Sequence, residues 1–383
     1  MSNVKSPKIR FKGFTDDWEQ RKLSNIVDVC SGRDYKHLND GDIPVYGTGG
    51  YMLSVSEALS EKDDAIGIGR KGTIDNPFIL RAPFWTVDTL FYCVPKDNYD
   101  LNFTYCVFQN INWKSKDEST GVPSLSKTTI NNIEVMTPTP AEQKKIGDYF
   151  TALDNLITLH QRELEKIISV RKAMIERMFP QGGSNVPAVR FGQYKQPWNF
   201  CRFSQIFKER HVVDTISKEY PQLAFTIEEG VISPEDKKTN KRDFLIIDKA
   251  TKKYLRTEYN DIIYNPANVI YGAIHRNSFG KGCVSPIYKI FYTDQDPSFM
   301  ECIVRNPSFI KAISRSMEGT VKKLRTLKPE SFLEMGAYIA PTIDEQRQIG
   351  EFFCQLDRLI ELENKELEKI KHIKTACLEK MFV

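Results

Sequence analysis

No stretch of the chain approaches the roughly 20 consecutive apolar residues that a membrane-spanning helix needs, so no membrane partner is expected. The opening residues, Met1 to Lys12, are polar and basic and lack the apolar core of a secretory signal. Cysteines occur at positions 30, 93, 106, 201, 283, 302, 354 and 377, but never as a C-x-x-C pair, and only five histidines accompany them. That spacing argues against a zinc site. A chain of 383 residues does not depend on a disulfide framework either, so the thiols are expected to be reduced and mostly buried, in a cytoplasmic protein. A large excess of one charge is also missing: the net charge of +4 permits a nucleic-acid partner without demanding one. What remains is an ordinary globular composition, 40% hydrophobic and 27% charged, in a chain long enough for two domains.

The signatures of common catalytic sites are absent too: no Walker loop, no H-E-x-x-H and no nucleophile elbow. Gly67-Ile68-Gly69-Arg70-Lys71-Gly72 fits G-x-G-x-x-G, but Thr73-Ile74-Asp75-Asn76-Pro77 is turn chemistry where a dinucleotide site needs a helix. Asp75-Asn76-Pro77-Phe78 and Tyr264-Asn265-Pro266 lack the second proline of the adenine-methyltransferase element, and no glycine-rich cofactor motif accompanies them. No catalytic, cofactor-binding or metal-ligating residue is therefore assigned to this chain.

What the sequence does contain is a duplication. Pro138 to Phe179 aligns without a gap to Pro341 to Phe382. Glu142, Gln143, Ile146, Gly147, Phe150, Leu153 and Asp154 match Glu345, Gln346, Ile349, Gly350, Phe353, Leu356 and Asp357, and both copies end Met-Phe. A weaker repeat opens each half: Pro7, Arg10, Phe11 and Trp18 correspond to Pro187, Arg190, Phe191 and Trp198. The segments between these repeats differ in length and share little sequence, which suggests one structural job done twice and one recognition job done differently.

Within the long repeats, Ile146, Phe150, Leu153, Ile157, Leu164, Ile167, Met174 and Met178 keep alternating three- and four-residue steps. Ile349, Phe353, Leu356, Ile360, Leu367, Ile370, Cys377 and Met381 do the same, so each copy predicts a coiled-coil helix roughly 50–60 Å long. Polar seam positions, His160 and Arg171 in one copy and Glu363 and Lys374 in the other, fix register. An antiparallel pairing predicts Arg171 opposite Glu363 and His160 opposite Lys374.

The intervening segments carry short apolar runs broken by turn signals, such as Ile43 to Tyr46, Ala65 to Ile68, Leu90 to Val94 and Asp261 to Tyr264. These read as mixed α+β domains. Cations cluster in their loops: Arg70 and Lys71 between two glycines; Lys322, Lys323 and Arg325 after Gly319-Thr320; and Lys237, Lys238, Lys241 and Arg242. Arginine and lysine hold phosphates for affinity, and arginine also reads base edges, so Arg70, Lys71, Lys322, Lys323 and Arg325 are the candidate DNA contacts.

The sequence resembles the specificity subunits of type I restriction-modification systems, the HsdS family, over essentially its whole length. The resemblance rests on the opening PKIRFKGFTDDWEQRKLSNI, on Ile43 to Gly50, on Ile68 to Ile74, and above all on two copies of P-x-x-x-E-Q-x-x-I-G leading into a heptad helix. Gly282 to Tyr288 looks like a second-domain counterpart. The resemblance implies an α+β chain with a pseudo-twofold internal repeat. It has a first target-recognition domain (1–137), a central spacer helix (138–185), a second target-recognition domain (186–340) and a C-terminal spacer helix (341–383), with the helices antiparallel. It further implies that each domain reads one half of an asymmetric double-stranded DNA site. Two modification subunits would dock on the helices and supply S-adenosylmethionine-dependent adenine methylation. Separate restriction subunits would use ATP and Mg to translocate and cut. A roughly 34 Å helical turn of DNA is compatible with readers held apart by helices of the predicted length. The alternative is a coiled-coil interaction scaffold without DNA recognition.

Overall fold

The protein is seen here as a computed structural model, which describes residues 6–236, 252–317 and 326–383. The chain divides into two compact units, the first made of residues 1–163 and 364–383, the second of residues 164–363.

In the first unit a ribbon of β1 (Glu19–Lys22) and β9 (Glu134–Thr137) closes the domain's two ends against each other. The main antiparallel sheet runs β2 (Val27–Ser31), β8 (Leu90–Pro95), β5 (Ala65–Gly69), β6 (Phe78–Leu80). Beside it lies a small sheet in the order β4 (Gly50–Val55), β3 (Asp40–Gly47), β7 (Trp85–Thr86), with β3 and β7 parallel. All five residues of β5 are buried, as expected of a central strand. The helices are α1 (Leu23–Ile26), α2 (Leu101–Asn110), α3 (Lys127–Asn132) and the long α4 (Pro140–Arg177), which begins with proline where a helix has no need of the N–H.

The second unit repeats this plan. The ribbon is β10 (Asn199–Arg202) with β20 (Gly336–Ile339), and the main sheet runs β11 (Phe207–Glu209), β19 (Lys289–Thr293), β16 (Ile262–Tyr264), β17 (Ile274–Arg276). Two smaller sheets hold β12 (Val213–Asp214), β15 (Tyr254–Thr257) and β18 (Gly282–Val284), and the hairpin β13 (Ala224–Thr226)–β14 (Gly230–Ile232). Helices α5 (Phe203–Ile206), α6 (Pro297–Val304), α7 (Pro307–Ser316), α8 (Pro329–Glu334) and the long α9 (Ile343–Lys380) complete it.

Each unit takes the first part of one long helix and the last part of the other, and the repeated motifs form that joint. Arg10 grips Glu142 with two hydrogen bonds of 2.6 and 2.7 Å, and Ile9 N donates to Lys380 O. In the second unit Arg190 grips Glu345 at 2.6 and 2.8 Å, and Val189 N donates to Arg177 O. The opening repeat is thus a clip between the start of one helix and the end of the other. The glutamine after each glutamate accepts from the backbone N of a helix-capping aspartate, Asp100 to Gln143 and Asp296 to Gln346. Those aspartates cap α2 and α6 through Phe103 N and Phe299 N. The motif's glycine follows from this contact. A Cβ on Gly147 would sit 2.4 Å from the Asp100 carboxylate and 2.9 Å from Phe103 N, and Gly350 meets Asp296 and Phe299 at 2.8 Å in the same way. The Met-Phe endings fill the cores: Phe382 stacks on Phe103, and Phe179 on Phe299, each also edge-on to the tryptophan of its clip.

The heptad residues form the less exposed stripe of both helices, and the pairing is antiparallel, but its register differs from the expected one. Arg171 meets Asp357, at 2.5 and 3.0 Å, rather than Glu363, and Lys374 meets Asp154, at 2.6 Å, rather than His160. Both expected pairs joined seam residues only. The long cations instead reach across to an aspartate flanking the seam, one such pair in each unit, at equivalent repeat positions.

Candidate nucleic-acid interface

The chain leaves the buried strand β5 at Gly69, where a Cβ would lie 1.9 Å from Thr73 O, and turns back through Gly72 at φ +98°. Only glycine suits both positions. Between them, Arg70 N and Lys71 N donate to Thr89 O at 2.8 and 3.2 Å, Arg70 O accepts from Leu125 N at 2.9 Å, and Gly72 N donates to Pro123 O at 2.8 Å. This backbone pinning leaves both side chains exposed. The Arg70 guanidinium reaches Asp88 O at 3.3 Å and lies 5.9 Å from the centre of the Phe91 ring; among the described residues Lys71 makes no ion pair. The structure therefore brings Arg70 and Lys71 together on one rigid, solvent-facing loop.

Sequence reasoning missed what stands beside that loop. The β3–β4 hairpin turns at Thr48-Gly49, and Thr48 Oγ1 lies 3.9 Å from where a Gly72 Cβ would be. Past the turn, Tyr51 and Met52 are 63% and 49% exposed, beside an open cleft of about 720 Å³ that Tyr35, Lys36 and Thr89 also line. The available signal was Gly47-Thr48-Gly49-Gly50 between two apolar runs, a turn followed by large side chains with no core to enter.

In the second unit the matching loop is Asn265–Asn268. Its strand β16 holds the place of β5, and Pro266 O accepts from Leu327 N at 3.0 Å as Arg70 O does from Leu125 N. The expected counterpart, Gly282 to Tyr288, belongs elsewhere. Gly282–Val284 is β18, paired with β15, at the position that β7 holds ahead of β8. The sequence likeness followed shared small residues, whereas the sheet order follows hydrogen-bond partners. Lys322, Lys323 and Arg325, and the run Lys237, Lys238, Lys241 and Arg242, lie outside the described residues.

The β13–β14 hairpin is the counterpart of β3–β4, since the parallel pairing of β3 with β7 recurs as a bridge from Gln222 to Cys283. Its tip, Ile227-Glu228-Glu229, is exposed. A buried histidine braces it: His275 Nε2 donates to Ile227 O at 2.7 Å, and Gly230, at φ +71°, leaves room for the ring. Burial first, and the Arg305 guanidinium second, push His275 down to about 4. Glu301 lies 3.8 Å from Nδ1 but is already engaged by Arg276 and Arg305.

A histidine held neutral in the fold takes up its proton first in the unfolded chain, so its contribution is complete above about pH 6.5 and falls away toward pH 4. The expected outcome is a loss of roughly 3 kcal/mol across that window. Melting temperature followed against pH should show it, with a flatter acid limb in His275→Gln. An identical acid limb in that variant would remove His275 as the cause.

The comparisons with known proteins follow the same outline. Across 99% of both chains the fold matches the crystal structure of the type I restriction-modification system S subunit from M. genitalium, with a TM-score of 0.69 and 14% identity. Residues 15–168 match the family model of the type I restriction modification DNA specificity domain. The chain is 23% identical over 286 residues to the specificity subunit of type I restriction enzyme MjaVIII of Methanocaldococcus jannaschii, covering 69% of this chain and 65% of that protein. It is 25% identical over 191 residues to the MjaIX specificity subunit of the same organism, covering 43% and 44%. The chain therefore spans under two thirds of the length of these curated relatives. The fold, two mixed α+β units with two long helices, is shared with the M. genitalium structure. The chain is thus similar to type I restriction-modification specificity subunits over residues 15–168 by the family model, and more widely by its curated relatives.

Proposed function

We propose that this chain selects the DNA target of a type I restriction-modification complex and contributes no catalytic group to it. The observation that carries the reading is that one joint, built twice from the same motifs, presents two domains of the same plan whose exposed loops differ. Gly69–Gly72 carries Arg70 and Lys71, whereas the equivalent loop carries Pro266 and Ala267. Identical joints suit identical partners; different loops suit different half-sites. Residues 1–137 and 186–340 act as the two target-recognition domains, and residues 138–185 and 341–383 as the spacer helices. Arg70 and Lys71 contact double-stranded DNA from the first domain. Lys322, Lys323 and Arg325, proposed on their clustering in the sequence, do so from the second.

The partners in this reading are two modification subunits, which bind S-adenosylmethionine, and restriction subunits, which use ATP and Mg, all in the cytoplasm. Co-expression with the modification subunit in a methylation-free host should yield N6-methyladenine at a split, asymmetric motif with a fixed gap. Exchanging residues 7–137 for those of another such subunit should change one half of that motif only. An assembled complex that binds S-adenosylmethionine yet methylates no defined motif would favour a scaffold without DNA recognition.

A further inference from the structure

We infer that the hairpin tips, β3–β4 in the first unit and β13–β14 in the second, are the elements that read bases, through Tyr51 and Met52 in one and Glu228 and Glu229 in the other. The inference rests on the recognition reading above and adds to it which side chains determine specificity.

The two hairpins hold equivalent places, each beside the strand that precedes the long outer pair of the main sheet, and both end in exposed side chains that enter no core. Their chemistry favours bases over the backbone of DNA, although a tyrosine hydroxyl can also donate to a phosphate. Tyr51 and Met52 present no positive charge to a phosphate, and Glu228 and Glu229 are repelled by one. Base edges suit both. An apolar tip packs on a thymine methyl, and a carboxylate accepts from the amino group of cytosine. A two-stranded ribbon also has the width that the major groove admits.

Each tip is held rather than loose. Thr48 lies against the Gly72 turn, so a phosphate on Lys71 would set the first tip beside the groove. Tyr51 packs edge-on to Tyr46, with its hydroxyl 3.2 Å from Ser54 Oγ. In the second unit His275 ties the turn through Ile227 O, and Glu229 N donates to Thr226 Oγ1 at 3.0 Å. Tips equivalent in position and unlike in chemistry are what an asymmetric bipartite site requires.

The test uses the full chain in complex with its modification subunit and reads the methylated motif across a genome. Tyr51→Ala with Met52→Ala should lower the preference for the parental base, at one or two positions of one half-site, by roughly tenfold to a hundredfold. The other half and the gap should be unchanged, which also reports that the variant has folded and assembled. Glu228→Gln with Glu229→Gln should relax the other half and move it away from cytosine, because an amide pairs better with adenine. Lys71→Ala should reduce methylation at all sites alike and leave the motif intact. If a double variant does not assemble, Met52→Thr or Glu228→Gln alone carries the same expectation. Methylation by the variants at an unchanged parental motif would overturn the inference while leaving the recognition reading standing. A parental complex that methylates without a bipartite motif would overturn both.

Discussion

Replacing Glu345 with alanine is expected to destabilise the second unit by about 3–5 kcal/mol, the usual cost of stripping one partner from a buried ion pair. Glu345 is fully buried and receives both Nε and Nη2 of Arg190, itself only slightly exposed, together with the indole N–H of Trp198. Without the carboxylate, the guanidinium keeps its charge in a site that water barely reaches. In a unit of this size the loss corresponds to a fall in melting temperature on the order of 10 °C. Glu142→Ala in the first unit should cost about 1 kcal/mol less, because the Trp18 indole N–H makes no bond to Glu142 beside the Arg10 pair. The control is the double replacement Arg190→Met with Glu345→Leu, which removes both charges and restores apolar volume. It should recover most of the loss. If the double variant were as unstable as Glu345→Ala, the stranded charge would not be the cause. Because the clip joins the start of one long helix to the end of the other, the damage should spread along the helix pair and not stay at the ribbon.

That joint was the most legible part of the molecule, for a physical reason. Its residues recur in the sequence because the geometry leaves each of them a single job. The arginine grips the glutamate, the glutamine meets a capping backbone, the glycine lets a helix terminus approach, and the phenylalanine fills the core. Duplication exposes such constraints without any knowledge of the fold. The antiparallel helix pair was legible through its heptads. Its register was not, because Asp154 and Asp357 lie beside the seam and the reach of Arg171 and Lys374 decides the pairing. The surface proposed for recognition was half legible. Arg70 and Lys71 announced themselves by flanking glycines, whereas Tyr51, Met52 and the Ile227 to Glu229 tip became visible only when strand order placed two unlike hairpins at one position. Local sequence records which residues a turn needs, but not which distant strand that turn stands beside.

Leu156→Glu combined with Leu159→Glu is expected to reduce the proposed assembly from two modification subunits to one. The two leucines are 43% and 54% exposed on α4, one helical turn apart and therefore side by side. Their repeat counterparts on α9, Leu359 and Leu362, are each 50% exposed. Single exposed leucines are common and need no explanation. A pair retained at the same place in both copies of a duplicated helix fits a docking site used twice. An apolar anchor at the centre of an interface is worth about 2 kcal/mol or more, and a buried carboxylate adds the cost of desolvation, so two such changes should weaken one site by more than roughly a hundredfold. Native mass measurement of the assembled complex would report the copy number directly. Leu359→Glu with Leu362→Glu should also leave one copy, all four changes together should leave none, and Lys71→Ala should leave two. Two copies retained by the four-fold variant would place the docking surface elsewhere. One copy retained by each double variant would tie the duplication in the sequence to the stoichiometry of the machine.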